Sequence, residues 1–269
     1  MTARRGPVVG RPPTRLLIPA FIAIAFLLLP LVALLTRTPW GRVPHELGTG
    51  VVLDALRLSV ETSLLAMVVA AILGTPLAWL LATASFPGHS ALRLLVAVPL
   101  VLPPVVAGVA LLSAFGRQGL LGKPLFEAWG VTIPFTTFAV VLAHAFVALP
   151  FYVISVEGAL RASGEEYDVV AATLGAGRWT TFRRVTLPLA APGVFAGLVL
   201  GWARSLGEFG ATITFAGNYR GTTQTLPLLV YQQLQADQNA ALVVSVILLG
   251  VSILVLATLR EHWFTQVAR

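Results

Sequence analysis

Six runs of apolar residues, each near the ~20 residues that a helix needs to cross a bilayer, constrain this chain more than any other feature. They lie at Leu16–Leu35, Leu64–Ala84, Leu94–Phe115, Phe135–Val156, Pro192–Phe215 and Ala240–Leu259. In lipid every backbone N–H and C=O must find its partner inside the segment, so runs of this kind fold as helices. The sequence therefore predicts an all-α, polytopic membrane protein with six transmembrane helices. Composition agrees: 57% of the residues are hydrophobic and 11% charged, where a soluble domain carries about 25% charge.

The first run follows Arg4, Arg5, Arg11 and Arg15, as the core of a signal peptide would. Its apolar stretch is too long for one, and no small-x-small cleavage site follows before Arg37, so it reads as a retained helix. The expected organisation is a tail (1–15), a first helix (16–35), a core of five spans (56–259) and a second tail (260–269). The polar stretch Leu56–Ser63 extends the second helix outward. With the N-terminus inside, the inner segments hold eleven basic residues and the outer ones six. That bias places both termini in the cytoplasm.

Several chemistries are excluded. There are no cysteines, hence no disulfide, thiol nucleophile or Cys-based metal site. The four histidines, His45, His89, His144 and His262, show no paired H-x-x-x-H spacing, and no metal site or catalytic residue is predicted. The net charge of +7 is scattered beside the apolar runs, where topology explains it better than nucleic acid does. The nearest approach to a nucleotide-binding loop, GLLGKP at Gly119, lacks the glycine spacing and the Ser/Thr after the lysine.

Two stretches carry functional information. The first is the connection Glu157–Ala191, polar and structured between two apolar runs. Ser163-Gly164-Glu165-Glu166 has the S-x-x-E form of a helix N-terminal box, and Gly175 supplies a left-handed residue to end that helix. Trp179 and Phe182 then share a face of a second short helix, flanked by Arg178, Arg183 and Arg184, and Leu187-Pro188 closes the unit. Such a helix–turn–helix is equally an interfacial segment lying in headgroups and a docking surface for another protein. The second stretch is ARSLGEFGATITFAGN, Ala203–Asn218. It puts Arg204 and Glu208 four residues apart on one helical face at membrane depth, with Ser205 and Thr212 extending the polar stripe. Ionisable groups there are costly; they either neutralise each other structurally or line a route. Pro99, Pro103 and Pro104 bend the third run, as a packing kink or as part of a gate. No internal repeat is visible.

The span Gly175-x9-Val185-x-Leu187-Pro188 resembles the cytoplasmic EAA loop of ABC importer permeases, whose pattern is EAA-x3-G-x9-I-x-LP. The start departs: Val169-Val170-Ala171 stand where that family has Glu-Ala-Ala, and Asp168 is the acid one residue earlier. Which acid does the glutamate's work is left open. The resemblance covers Leu56 to Leu259, with the first helix as an addition. It implies that Asp168, Ala171, Leu174, Gly175, Ala176, Trp179, Phe182, Leu187 and Pro188 form the surface that couples to a separate ATPase. It also implies that Pro103, Pro104, Arg204, Ser205, Glu208 and Thr212 belong to a pathway or gate.

GEFGATITFAGN, followed by TQTLP from Thr223, is closely similar to the molybdate branch of these permeases, more than to the sulfate/thiosulfate branch, which shares the ARxxGEFG part. The resemblance implies a multi-pass subunit of the cytoplasmic membrane that works as a homodimer for molybdate or the near-isosteric tungstate. Two ABC ATPase subunits would bind ATP and Mg, so this chain is no enzyme and carries no cofactor. The other partners implied are an extracytoplasmic oxyanion-binding protein and membrane lipid. Alternatives are a sulfate/thiosulfate permease, a secondary transporter with its own site, and an intramembrane enzyme.

Overall fold

A computed structural model describes the chain over residues 14–164 and 166–267. Its elements are helices: α1 (Thr14–Arg37), α2 (Val43–Leu47), α3 (Gly50–Thr83), α4 (His89–Val101), α5 (Pro104–Phe115), α6 (Gly122–Trp129) and α7 (Thr137–Ala162). They continue with α8 (Glu166–Thr173), α9 (Arg178–Thr181), α10 (Leu187–Leu206), α11 (Gly210–Ala216), α12 (Leu226–Ala236) and α13 (Gln238–Val267). Among the described residues there is no strand. Five helices among those residues are long and apolar enough to cross a bilayer, six if α4 and α5 count as one span. The all-α, polytopic expectation holds. Of the first tail only Thr14 and Arg15 fall in the described residues, and α13 carries helix on into the second tail.

The centre of the bundle is α3, α7 and α10. Met67, Ala70, Ala78 and Leu81 pack there with Ala148, Tyr152, Val153, Val156 and Ala190. Lipid tails are as apolar as leucine, so helices in a membrane associate through close packing rather than water exclusion. Gly193, Gly197 and Gly201 supply it, forming a small-xxx-small stripe along α10. A Cβ at Gly193 would come within 2.2 Å of the Ala159 Cβ, and one at Gly201 within 2.8 Å of the Met67 Cε. By contrast α1 packs on α13 and leaves its apolar residues exposed, as a helix facing lipid does. The polar stretch expected to extend the second span does so. Ser59 is buried in α3 and its Oγ accepts the Leu226 N–H at 2.7 Å, fixing the start of α12.

The structure corrects several local expectations. The third span is not one helix: Leu102 and Pro103 are extended, and the path bends by 118° from α4 to α5. Two consecutive prolines remove two backbone donors, and Pro104 also disfavours the helical conformation at Pro103. The fifth span is also broken, since α10 ends at Leu206 and α11 begins at Gly210. Ser163 is not the start of α8. It caps the end of α7, with its hydroxyl donating to the Leu160 carbonyl at 2.7 Å, and Gly164 follows at φ +78°. Nor do Trp179 and Phe182 lie on a separate short helix closed by Pro188. Helix runs unbroken from Arg178 to Leu206, through a π turn at Phe182–Thr186 in which the Leu187 N–H reaches the Phe182 carbonyl. Pro188 lacks an N–H for the preceding turn, and a π turn is a common way to absorb that loss.

Candidate functional site

Two places gather the residues singled out above. The first is the connection between α7 and α10. The α8 helix ends in a full Schellman motif: the Ala176 N–H donates to the Ala171 carbonyl and the Gly175 N–H to the Ala172 carbonyl, both at 3.0 Å. Gly175 sits at φ +81°, where a side chain would be strained. One face of α8 is tied inward. Ala171 is buried, and Asp168 Oδ1 accepts the Thr186 hydroxyl at 2.8 Å, pinning α8 to the π turn. Beside that face stand Tyr167, Val170 and, in the turn just past Thr173, Leu174, at i, i+3 and i+7 and all exposed, with Leu174 83% so. The three make one exposed apolar stripe running from α8 into the turn that ends it, the kind of patch that marks contact surfaces. Between α8 and the end of α3 lies a cavity of about 590 Å³, with Trp79, Thr83, Asp168, Val169, Ala172 and Phe182 in its wall.

Phe182 is half-buried rather than outward. It meets Trp79 edge-on, centroids 6.2 Å apart, and stacks on Trp179 at 5.7 Å. Trp179 is exposed beside α3, over Ile72, Thr75 and Pro76. Leu187 is half-buried and Pro188 exposed, both inside the continuous helix. The outward stripe thus includes Leu174 from the predicted coupling set, together with Tyr167 and Val170, which that set did not include. Their i, i+3, i+7 spacing was the signal available.

The second place is the break between α10 and α11. Arg204 Nη1 lies 2.7 Å from Glu208 Oε2. Glu208 is 1% exposed, and its Oε1 accepts the Ala211 N–H at 2.9 Å, capping the first turn of α11. The pair therefore bridges the helix break instead of lying along one continuous face. The Arg204 side chain stays 34% exposed. The breaks in the third and fifth spans meet here. A Cβ on Gly210 would stand 2.5 Å from the Pro104 Cβ, and one on Gly108 would stand 2.9 Å from the Ala211 carbonyl. Glycine at both contacts lets α5 and α11 run side by side from a common level. Proline pair and charged pair, 100 residues apart in sequence by 204 − 104, are thus one constellation.

Around it the bundle is polar. The Trp202 Nε1–H donates to Ser63 Oγ at 2.8 Å, and Thr62 donates to the Leu58 carbonyl and lies 3.4 Å from His144 Nδ1. Ser205 Oγ, Thr212 Oγ1 and His144 Nε2 are buried and have no hydrogen-bond partner among the described residues. Groups of acids and histidines able to hold a metal ion are absent among the described residues.

The family described as "Binding-protein-dependent transport system inner membrane component" matches residues 74–267, a range that includes α8 and both helix breaks. The "Molybdenum transport system permease protein ModB" of Mycobacterium tuberculosis is 51% identical over 248 residues, which span 91% of this chain and 94% of that relative. The "Sulfate transport system permease protein CysT" of Escherichia coli is 35% identical over 238 residues, 87% of this chain and 86% of that one. Among solved structures, a bacterial alginate ABC transporter in complex with an alginate pentasaccharide-bound periplasmic protein aligns with a TM-score of 0.73, covering 92% of both chains. Its 16% identity makes that likeness one of fold.

Proposed function

The chain belongs to the binding-protein-dependent transport system inner membrane component family, and from that premise we propose that it forms the membrane path of an ATP-driven molybdate importer. It is a multi-pass inner-membrane protein and not itself an enzyme; a partner ATPase binds ATP and Mg and hydrolyses the nucleotide. In this reading both termini face the cytoplasm and two copies enclose one pathway. Each copy docks one ATPase through α8, and an external binding protein delivers the oxyanion to the opposite face. Nucleotide binding draws the ATPases together and moves the two α8 helices. The pathway then exchanges inward-facing for outward-facing states, each stabilised by a different set of partners.

The observation that carries the coupling half of this reading is the exposed stripe Tyr167, Val170 and Leu174, along a helix and turn held in place through Ala171 and Asp168. A docking helix must transmit displacement rather than fold away. The Schellman end and the Asp168–Thr186 bond supply that stiffness. For the cargo, a lone acid beside a dianion's route would repel it, whereas Glu208 is neutralised by Arg204. We assign Glu208 to holding the break, and Arg204, Ser205 and Thr212 to the wall of the route with Pro103 and Pro104. Molybdate is preferred to sulfate because the likeness to the molybdenum permease exceeds that to the sulfate permease. The ARxxGEFG stretch keeps sulfate as the second reading.

Cells lacking the gene test the cargo. They should lose molybdenum accumulation and molybdenum-enzyme activity at trace external molybdate, regain both when molybdate is abundant, and keep sulfate-dependent growth. Failed sulfate assimilation with normal molybdenum content would transfer the assignment to the sulfate branch.

A further inference from the structure

Glu157 is an acid in an unfavourable place. It is 2% exposed and sits inside α7, five residues before the helix ends at Ala162. Burial of a carboxylate costs free energy that a well-packed apolar side chain would not. Two guanidiniums offset the cost at a single oxygen. Arg161 Nε, one turn further along α7, lies 3.1 Å from Glu157 Oε1, and Arg93 Nη2, from α4, lies 3.0 Å from the same atom. Arg161 also donates through Nη2 to the Leu81 carbonyl at 2.7 Å, and His89 Nε2 stands 2.9 Å from that carbonyl. Leu81 is in the final turn of α3, where carbonyls have no partner within their own helix. The buried carboxylate thus ties the end of α7 to the start of α4, and Arg161 and His89 extend the cluster to the end of α3.

The position of those helices gives the cluster a purpose. Beyond Glu157, α7 runs only to Ala162 before Gly164 and the α8 loop. Beyond Arg93, α4 runs to the 118° bend and into α5, which packs on α11 beside the Arg204–Glu208 pair. We propose that Glu157 is a positioning residue for coupling. It ties the helix that carries the docking loop to the helix that leads to the break in the bundle, so that displacement of α8 reaches the route. Arg161, on the same helix as Glu157, is the fixed arm. Arg93, whose side chain is 57% exposed, is the arm that can release and re-form. This inference rests on the reading of α8 as the ATPase-facing loop.

The test uses the complete complex in lipid nanodiscs and measures ATP hydrolysis with and without molybdate-loaded binding protein. Glu157→Gln keeps the side-chain volume and should retain the ATPase subunit, while the stimulation ratio falls about threefold or more, the scale on which residues between two coupled sites act. Arg93→Gln, at an exposed position that leaves folding intact, should lower the ratio in the same direction, and Arg93→Lys should restore it. The double variant should be no worse than Glu157→Gln alone, because Glu157→Gln already removes the charge with which Arg93 pairs. An unchanged ratio in Arg93→Gln overturns the proposal, whether Glu157→Gln accumulates or not. So does an additive loss in the double variant. Failure of the wild-type chain to recover any ATPase would instead remove the proposed function on which the inference stands.

Discussion

Arg204→Met should be the most damaging single substitution in the bundle. It leaves the Glu208 carboxylate 1% exposed with the Ala211 amide as its remaining partner, and breaking a buried ion pair from one side costs about 3–5 kcal/mol. Glu208→Gln should hurt less, for two reasons. The orphaned Arg204 is 34% exposed and can turn to water or headgroups, and a glutamine Oε1 can still cap Ala211. The double variant should therefore be better folded than Arg204→Met alone, since its buried group is neutral and capped. Thermal retention of the monodisperse, detergent-solubilised protein orders the variants as double above Arg204→Met, with Glu208→Gln the mildest single. Strictly additive losses would show that the two charges act independently, and Arg204 would then be an anion-attracting residue on its own account.

Leu174→Asp should abolish recovery of the ATPase subunit while leaving the chain in the membrane at wild-type level. Leu174 is 83% exposed, so its replacement disturbs little within this chain. Against a partner groove the substitution forfeits about 1.5–3 kcal/mol of apolar burial and adds an unpaired carboxylate to the interface, which costs more. Gly175→Val acts through the backbone: no atom crowds a Cβ there, but φ is +81°, and a β-branched residue in that region is strained by about 1 kcal/mol or more. Its effect should be the smaller of the two. Trp179→Ala should be milder still in ATPase recovery, because Trp179 lies over α3 and outside the stripe. Copurification yields checked against membrane expression decide the order; equal recovery in Leu174→Asp and wild type would remove the stripe from the docking surface.

The spans were legible because the demand for internally satisfied backbone in lipid leaves a chain this apolar few options, and six runs of the right length announce themselves. The breaks were not. Pro103 and Pro104 signal a bend, but its 118° angle depends on what α4 and α5 pack against. The break at Gly207–Phe209 carries only a glycine and a charged residue, which a helical wheel places on one face as readily as across a gap. What makes it a break is Glu208 turning back to cap Ala211, an interaction that becomes available only after the helix has opened. The S-x-x-E pattern at Ser163 misled for a related reason. A serine at a helix boundary can cap either neighbour, and Gly164 at φ +78° closes α7 before α8 begins. Gly175 was legible because a left-handed position has few alternatives to glycine. The meeting of the proline pair with the charged pair was not, since it rests on Gly108 and Gly210 admitting close contact between segments distant in sequence. The clamp at Glu157 was hidden likewise: Arg93 and Arg161 read as topology signals, and nothing local shows that they share one carboxylate.

The most direct test of the account is uptake by proteoliposomes holding this chain, its ATPase and the external binding protein. ATP should drive accumulation of radiolabelled molybdate that requires the binding protein, is competed by unlabelled molybdate or tungstate and resists excess sulfate. Accumulation without the ATPase, or of sulfate in preference to molybdate, would contradict it.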